Sequence, residues 1–214
     1  MQKYTESYIF ATIMKTKLSK AEKTRQYIIE KSAPVFNKKG YAGTTYVDLE
    51  EATGLTKGSI YGNFKDKDEV ALAAFDYNFQ QLSKGITEKQ NLKESVIEKL
   101  LVYPKFYLEF FPDLVKNGGC AILNTASEAD DTHPLLKEKV VKAIYSWKNH
   151  IVKLIDEGRL NGEIKREISP EKYADLLMVF VEGAILLTKT TGNLSFLFNS
   201  LNYIENLILN ELKA

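Results

Sequence analysis

Residues 56–63 read Thr-Lys-Gly-Ser-Ile-Tyr-Gly-Asn. Thr56, Lys57, Ser59 and Asn63 are hydrogen-bonding groups set around one apolar anchor, Ile60. On a short helix, that spacing turns Ile60 inward and the polar groups outward. Gly58 leaves one side of the helix bare, so a partner can approach its backbone closely. Such a set suits recognition rather than turnover. Amides, hydroxyls and ammonium groups match the donor and acceptor pattern that base pairs present in the DNA major groove, and they also hold phosphate oxygens.

Groups able to do covalent or acid–base chemistry are sparse. The chain has one cysteine, Cys120, so no intrachain disulfide forms, and a reducing, cytoplasmic setting is expected. Cys120 reads as a small buried hydrophobe. His133 and His150 lack partners for a catalytic pair and are too few for a structural zinc site. Gly118-Gly119 precedes a helix with no strand before it, unlike a nucleotide fingerprint. The chain reads as a non-enzyme that calls for no metal or cofactor.

The elements that position these groups are helical. Apolar residues recur at three and four, alternating runs are scarce, and 5 prolines and 12 glycines fall at helix boundaries. The expected fold is all-α with about nine helices. Ser19–Glu22, Thr45–Asp48 and Asp66–Glu69 have capping-box spacing. The first helix starts after Ser19 and ends at Gly40. A second runs to Gly54, and a third opens on Thr56. A fourth runs from Lys67 to about Gly85. Beyond them, helices are expected from Leu92 to about Phe110, from Cys120 to Ala129 and from Pro134 to Glu157. The last two run from Ser169-Pro170 to Thr191 and from Leu194 to Leu212. A glycine-containing turn between two short helices is the helix-turn-helix plan, here at about 45–64. Gly54 supplies the positive φ, and Leu49, Leu55 and Ile60 hold the pair together.

Charge is unevenly divided. Residues 14–65 carry ten Lys/Arg and five acids, so of a total charge of +1 the remainder carries −4. A basic small unit joined to a faintly acidic larger one points the small unit at phosphate. Lys15, Lys17, Lys20 and Lys23 form either a solvated face or an arm toward phosphate. The division expected is 1–66 for a leader and the helix-turn-helix domain, and 67–214 for a helical regulatory and dimerisation domain. Met14, followed by KTKLSK, is an alternative start. The run Leu176–Leu187 is too short to span a membrane and holds Glu182.

The stretch GYAGTTYVDLEEATGLTKGSIYGNFKDKDEVALAAF, residues 40–75, resembles the N-terminal pattern of the TetR family of transcriptional regulators. The likeness lies in the glycine–aromatic pair, Thr44-Thr45, Asp48-Leu49, Gly54 to Gly58, Tyr61, Phe64 and Lys67. GCAILN and Glu182-Gly-Ala184 resemble one C-terminal subgroup. The resemblance implies that the Tyr61 hydroxyl and Lys67 hold phosphates, with Lys67 at a helix N-terminus that favours anions. It implies backbone contacts from Thr44 and Thr45, and a groove-facing start of the recognition helix at Thr56, Lys57, Gly58 and Ser59. Glu50, Gly62 and Asn63 depart from the family pattern. Glu50 reads as a surface acid.

The function expected is a sequence-specific DNA-binding regulator: a homodimeric repressor on near-palindromic double-stranded DNA, released by a small apolar or amphipathic ligand. The alternative is a helical small-molecule-binding or interaction protein without DNA readout. Candidate ligand contacts are Phe106, Phe110, Asn124, Trp147, Ile151 and Met178. An acid facing that cavity, from Glu109, Glu128 or Glu182, would suit a cation. Phe180, Ala184, Leu187, Leu197, Leu201, Ile204 and Ile208 are the expected dimer contacts, because the last two helices are more apolar than one buried face requires.

Overall fold

The computed structural model describes residues 19–214. The alternative start at Met14, Lys15 and Lys17 lie outside these residues. The described chain forms nine α-helices: α1 (Lys20–Gly43), α2 (Tyr46–Thr53), α3 (Lys57–Tyr61), α4 (Lys67–Gln90), α5 (Val96–Lys116), α6 (Ala121–Ala129), α7 (Pro134–Asn161), α8 (Pro170–Thr191) and α9 (Ser195–Asn206). A π-helical run, Leu207–Leu212, continues α9. No described helix is long and apolar enough to cross a membrane.

Local signals place most of the helix starts. Ser19 and Thr45 close reciprocal capping boxes with Glu22 and Asp48. Asp66 accepts from the Glu69 N–H at 2.9 Å. Ser95 closes a further box with Glu98, so α5 starts at Val96 and not at Leu92.

Tertiary packing moves several ends. Gly40 (φ 72) kinks α1, and one more turn continues to Gly43. α4 runs past Gly85 to Gln90, since Gly85 lets the Phe106 ring come within 3.0 Å of where a Cβ would sit. α5 continues through Pro104 and Pro112 to Lys116, because the face carrying Tyr103, Tyr107, Phe111 and Leu114 stays buried along its length. Burial there outweighs the missing proline donors. Gly158 lies inside α7, where a Cβ would meet Ile164 at 2.7 Å, and the helix ends only at Gly162 (φ 82).

Two apolar cores result. The smaller joins Ile28, Phe36, Leu49, Ile60, Phe64 and Val70. The larger is built on α5 to α9, with Leu100, Tyr107, Ile155, Leu177 and Leu201 at its centre. α4 serves both: Ala74 belongs to the small core and Phe75 to the large one. The two cores overlap along α4, from Leu72, which packs on the large core, to Tyr77, which packs on the small one, so the small unit reaches past the expected boundary at 66.

Within the large core, the thiol of Cys120 donates to Glu182 Oε1 at 3.0 Å, and Glu182 Oε2 is buried with no partner. Burial raises the Glu182 carboxyl from 4.5 to about 7. A raised acid binds its proton more tightly folded than unfolded. The stability tied to it is therefore complete below pH 4.5 and is lost as pH rises through 7. That loss is on the order of 3 kcal/mol. Glu182→Gln removes the titration. Thermal unfolding should show the variant gaining on wild type between pH 4.5 and pH 8; an equal difference at both pH values would contradict the assignment.

Candidate nucleic-acid interface

α2 ends on Gly54 in the left-handed conformation (φ 68), and the chain turns through Leu55 into α3. Thr56 caps α3 by accepting from the Ser59 N–H at 3.3 Å. α3 has five residues, KGSIY. A helix that short does not stand alone in water. Ile60, Leu49 and Phe64 bury it against the small core. Its free N-terminal amides need acceptors, and one comes from outside the helix: Glu50 Oε1 accepts from the Lys57 N–H at 2.6 Å. Glu50, a family departure in the sequence, is thus a second cap for α3.

The other end of α3 is held by Arg25. Its guanidinium lies 3.9 Å over the Phe64 ring, donates to the Asn63 carbonyl oxygen, and pairs with Glu69 at 2.6 Å. Arg25 thereby ties α1, the end of α3 and the start of α4 together. In the sequence it counts only as charge. Its partners are 38 and 44 residues away, so no local spacing signals the contact.

Thr45, Thr56, Lys57 and Gly58 are exposed, and Ser59 and Lys67 are half-buried. A Cβ on Gly58 would meet nothing closer than Thr56 Oγ1 at 4.0 Å, so that flank is open. Lys57 Nζ lies 4.2 Å over the Tyr46 ring, and Tyr46 meets Tyr61 edge-on at 5.3 Å. Lys67 Nζ lies 4.4 Å over the Tyr41 ring at the N-terminus of α4.

Three expected contacts are placed otherwise. Thr44 is buried, and its hydroxyl donates to the Gly40 carbonyl at 2.6 Å, so it is no exposed phosphate ligand. The Asn63 amide folds back to donate to the Ser59 carbonyl at 2.9 Å. The Tyr61 hydroxyl is buried and unpartnered; burial, with Tyr46 beside it, pushes its ionisation up. Gly62 lies at the C-cap of α3, not in its interior, and a Cβ there would press on the Gly58 carbonyl at 3.3 Å.

Residues 28–74 match the family model described as bacterial regulatory proteins, tetR family, and residues 96–197 match the tetracyclin repressor-like C-terminal domain. The chain belongs to the TetR family of bacterial transcriptional regulators. The crystal structure of a TetR-family transcriptional regulator from Cytophaga hutchinsonii is 44% identical, covers 93% of this chain and 99% of its own, and superposes with a TM-score of 0.88. A TetR regulator from Chloroflexus aurantiacus is 32% identical over 92% of this chain and 99% of its own, with a TM-score of 0.82. The HTH-type transcriptional repressor DhaR of Mycobacterium sp. (strain GP1) is 28% identical, covering 79% of this chain and 84% of that one. TetR-family proteins are DNA-binding regulators rather than enzymes, and they typically form homodimers.

In the regulatory half of this TetR-family chain, the candidate ligand residues do not form one site. Trp147 lines a pocket of about 120 Å³ between α4, α5, α6 and α7. Phe110 lines an adjoining pocket of about 140 Å³, which shares Phe79, Leu82 and Ile122 with the first. Phe106 is buried, stacked on Phe110 at 5.2 Å, and Ile151 is fully buried in the core. Met178 is half-buried against that core and lines neither pocket. Asn124 is engaged elsewhere: its amide donates to the Asn37 carbonyl at 3.0 Å and the Gly118 carbonyl at 2.8 Å. Glu109, Glu128 and Glu182 line neither of these two pockets.

The expected dimer contacts also need correction. Ala184, Leu197, Leu201, Ile204 and Ile208 are each at most 3% exposed within the single chain. The apolar groups left outside include Val179 (70%), Leu186, Leu187, Phe196, Phe198 and Tyr203, with Phe180 packed on Tyr203 at 4.8 Å. Of the seven expected contacts, Leu187 and Phe180 remain at that surface.

Arg25→Ala should loosen α3 and weaken binding to every DNA sequence alike, while Lys57→Ala should change the preferred sequence at ~1–3 kcal/mol per lost base contact. Binding titrations on a panel of duplexes would separate the two. A change of preference from Arg25→Ala alone would reverse the roles.

Proposed function

We propose that this TetR-family chain is a homodimeric cytoplasmic repressor that reads a near-palindromic operator and is released by a small ligand. Thr45, Thr56, Lys57, Gly58, Ser59 and Lys67 form the DNA face. Tyr61 buttresses Tyr46 beneath Lys57 and reaches phosphate only if that pair opens. Residues 1–66 read DNA, and 67–214 carry the ligand and the dimer contacts, with the start of α4 packed into the reading unit.

One observation carries the ligand-responsive reading. α6 borders the pocket through Ile122 and, within two turns, grips the reading unit. Glu128 Oε2 accepts from the Tyr41 N–H at 2.6 Å, and Oε1 accepts from the Ala42 N–H at 2.7 Å. Asn124 holds Asn37 on the same α1. A ligand that shifts Ile122 therefore moves the groups that fix the end of α1. Release then results from differential binding of ligand to the two arrangements.

The dimer forms through the exposed face of α8 and α9, where Gly183 has open space beside it. A two-fold pairing of that face sets two copies of α3 at one spacing and demands a two-fold DNA site.

Selection of genomic fragments by the purified chain, combined with titration at several salt concentrations, tests the reading. Salt-dependent binding to a near-palindromic site is expected; the absence of sequence preference would favour a ligand-binding protein without DNA readout. Phe198→Glu should give a helical monomer that has lost specific binding. Ile204→Glu places a charge in the core and should unfold the chain. Sedimentation and circular dichroism distinguish these outcomes. A dimer that survived both Phe198→Glu and Val179→Glu would rule out this face.

A further inference from the structure

Two cavities adjoin along α4: the pocket at Trp147, of about 120 Å³, and the pocket at Phe110, of about 140 Å³. Phe79 and Leu82 on α4 and Ile122 on α6 line both, so the waist between them is apolar. An apolar cavity of ~150 Å³ holds one benzene ring, so each lobe has room for about one ring. The walls are uncharged on both sides of the waist. Asp, Glu, Lys and Arg make up 27% of the chain, yet among the described residues none of them lines either cavity. His150 bonds to Gln90 Oε1 at 2.8 Å, and burial lowers its pKa below 6.5, so it too is uncharged at neutral pH. A charged molecule entering such walls loses its hydration with nothing in return. The polar groups are neutral hydroxyls at one end, Ser83, Thr87 and Ser146, and neutral amides at the other, Asn78, Gln81 and Asn117. The second cavity also has a wall from the reading unit: Pro34 and Asn37 of α1 line it, and Asn37 is the residue that donates to the Asn117 and Gly119 carbonyls at 2.7 and 2.9 Å.

Resting on the reading of this chain as ligand-released, we propose that the two cavities form one site for an uncharged, elongated molecule of two rings or more, apolar where it crosses the waist. One end lies against Tyr107 and Trp147, the other against Phe110 and the α1 residues Pro34 and Asn37. Such a ligand touches the reading unit itself, whereas a molecule confined to the Trp147 lobe meets only α4 to α7. The length follows from the two adjoining lobes, and the absence of charge follows from their walls.

Four probes test this without DNA: phenol, para-phenylphenol, para-phenylbenzoate and para-phenylbenzylammonium, each titrated into the full chain by calorimetry and ligand-observed NMR. Para-phenylphenol should bind about tenfold or more tighter than phenol, because its second ring is buried as well. The two ions should bind roughly 100-fold or more weakly than para-phenylphenol. Two exposed residues of α4 address the lobes separately: Ser83 lines only the Trp147 lobe, and Gln81 only the Phe110 lobe. Ser83→Trp should weaken both neutral probes. Gln81→Trp should bring para-phenylphenol down to about the affinity of phenol, and Ala121→Leu, which fills the same lobe from α6, should do likewise. Circular dichroism checks that helicity is retained. Equal affinity of the two neutral probes for wild type would overturn the proposal, as would an ion that binds as tightly as para-phenylphenol. A para-phenylphenol advantage that survived both Gln81→Trp and Ala121→Leu would do so too. If a variant fails to fold, the comparison of four probes on the wild type still decides. If no neutral probe binds, the site falls and DNA reading is untouched. If para-phenylphenol binds as expected yet leaves a selected operator fragment bound, the site stands and the ligand-released reading falls.

Discussion

The placement of the reading unit depends on one carboxylate. Gly40, at φ 72, breaks the hydrogen-bond ladder of α1 and leaves the amides of Tyr41 and Ala42 without helical acceptors. Glu128 accepts from both. Charge-assisted bonds to two amides at once fix direction as well as distance. The fit admits no side chain at Gly40, since a Cβ there would lie 2.5 Å from Glu128 Oε2. Beside it, Asn37 donates to the carbonyls of Asn117 and Gly119, and Asn124 returns bonds to Asn37 and Gly118. A Cβ on Gly118 would meet the Asn37 carbonyl at 2.9 Å. The two glycines let backbone and polar side chains interlock where two apolar cores meet.

A relay of short contacts leads from that junction to the recognition helix. Past Gly40, Tyr41 donates to Asp68 at the head of α4 and stacks edge-on with His133, the cap of α7. Thr44 spends its hydroxyl on Gly40, which frees Thr45 to open α2. α2 then lends Glu50 to α3, and α1 lends Arg25. The five-residue recognition helix is therefore stiff because its ends are tied to neighbouring helices on both sides. Its outward groups inherit their positions from α1, and α1 takes its last turn from α6.

The sequence showed most clearly what is local. Caps are read from residues three apart, and Ser19, Thr45, Thr56 and Asp66 all start helices where that spacing places them. The helix-turn-helix was legible because Gly54, Ile60 and Leu49 sit within twelve residues of one another. Gly85, Pro112 and Gly158 were misleading as breakers. Their local cost is outweighed by burial that only the assembled core supplies. Glu128 and Arg25 look like surface charge in the sequence, since their partners stand 38 to 87 residues away. The outward stripe of the last two helices was hard to read for another reason. α8 and α9 are apolar on more than one side, and periodicity says that one stripe is inside without saying which. Leu201 and Ile204 face inward, whereas Phe198 and Tyr203 face outward on the same helix.

That ambiguity has a structural use. A helix apolar on two faces connects what lies on either side of it. α8 carries Val179 and Gly183 toward solvent, while Glu182 between them turns inward to accept from Cys120, the cap residue of α6. About two turns on, Lys189 of the same helix donates to the Gly118 carbonyl, inside the junction that holds α1. Residues 117–128 are thus touched by α8 through Gly118 and Cys120, by the Trp147 pocket through Ile122, and by α1 through Asn124 and Glu128. The pocket, the α8 surface and the end of α1 thus all meet on this one segment, which is where the proposed ligand response has its shortest structural route.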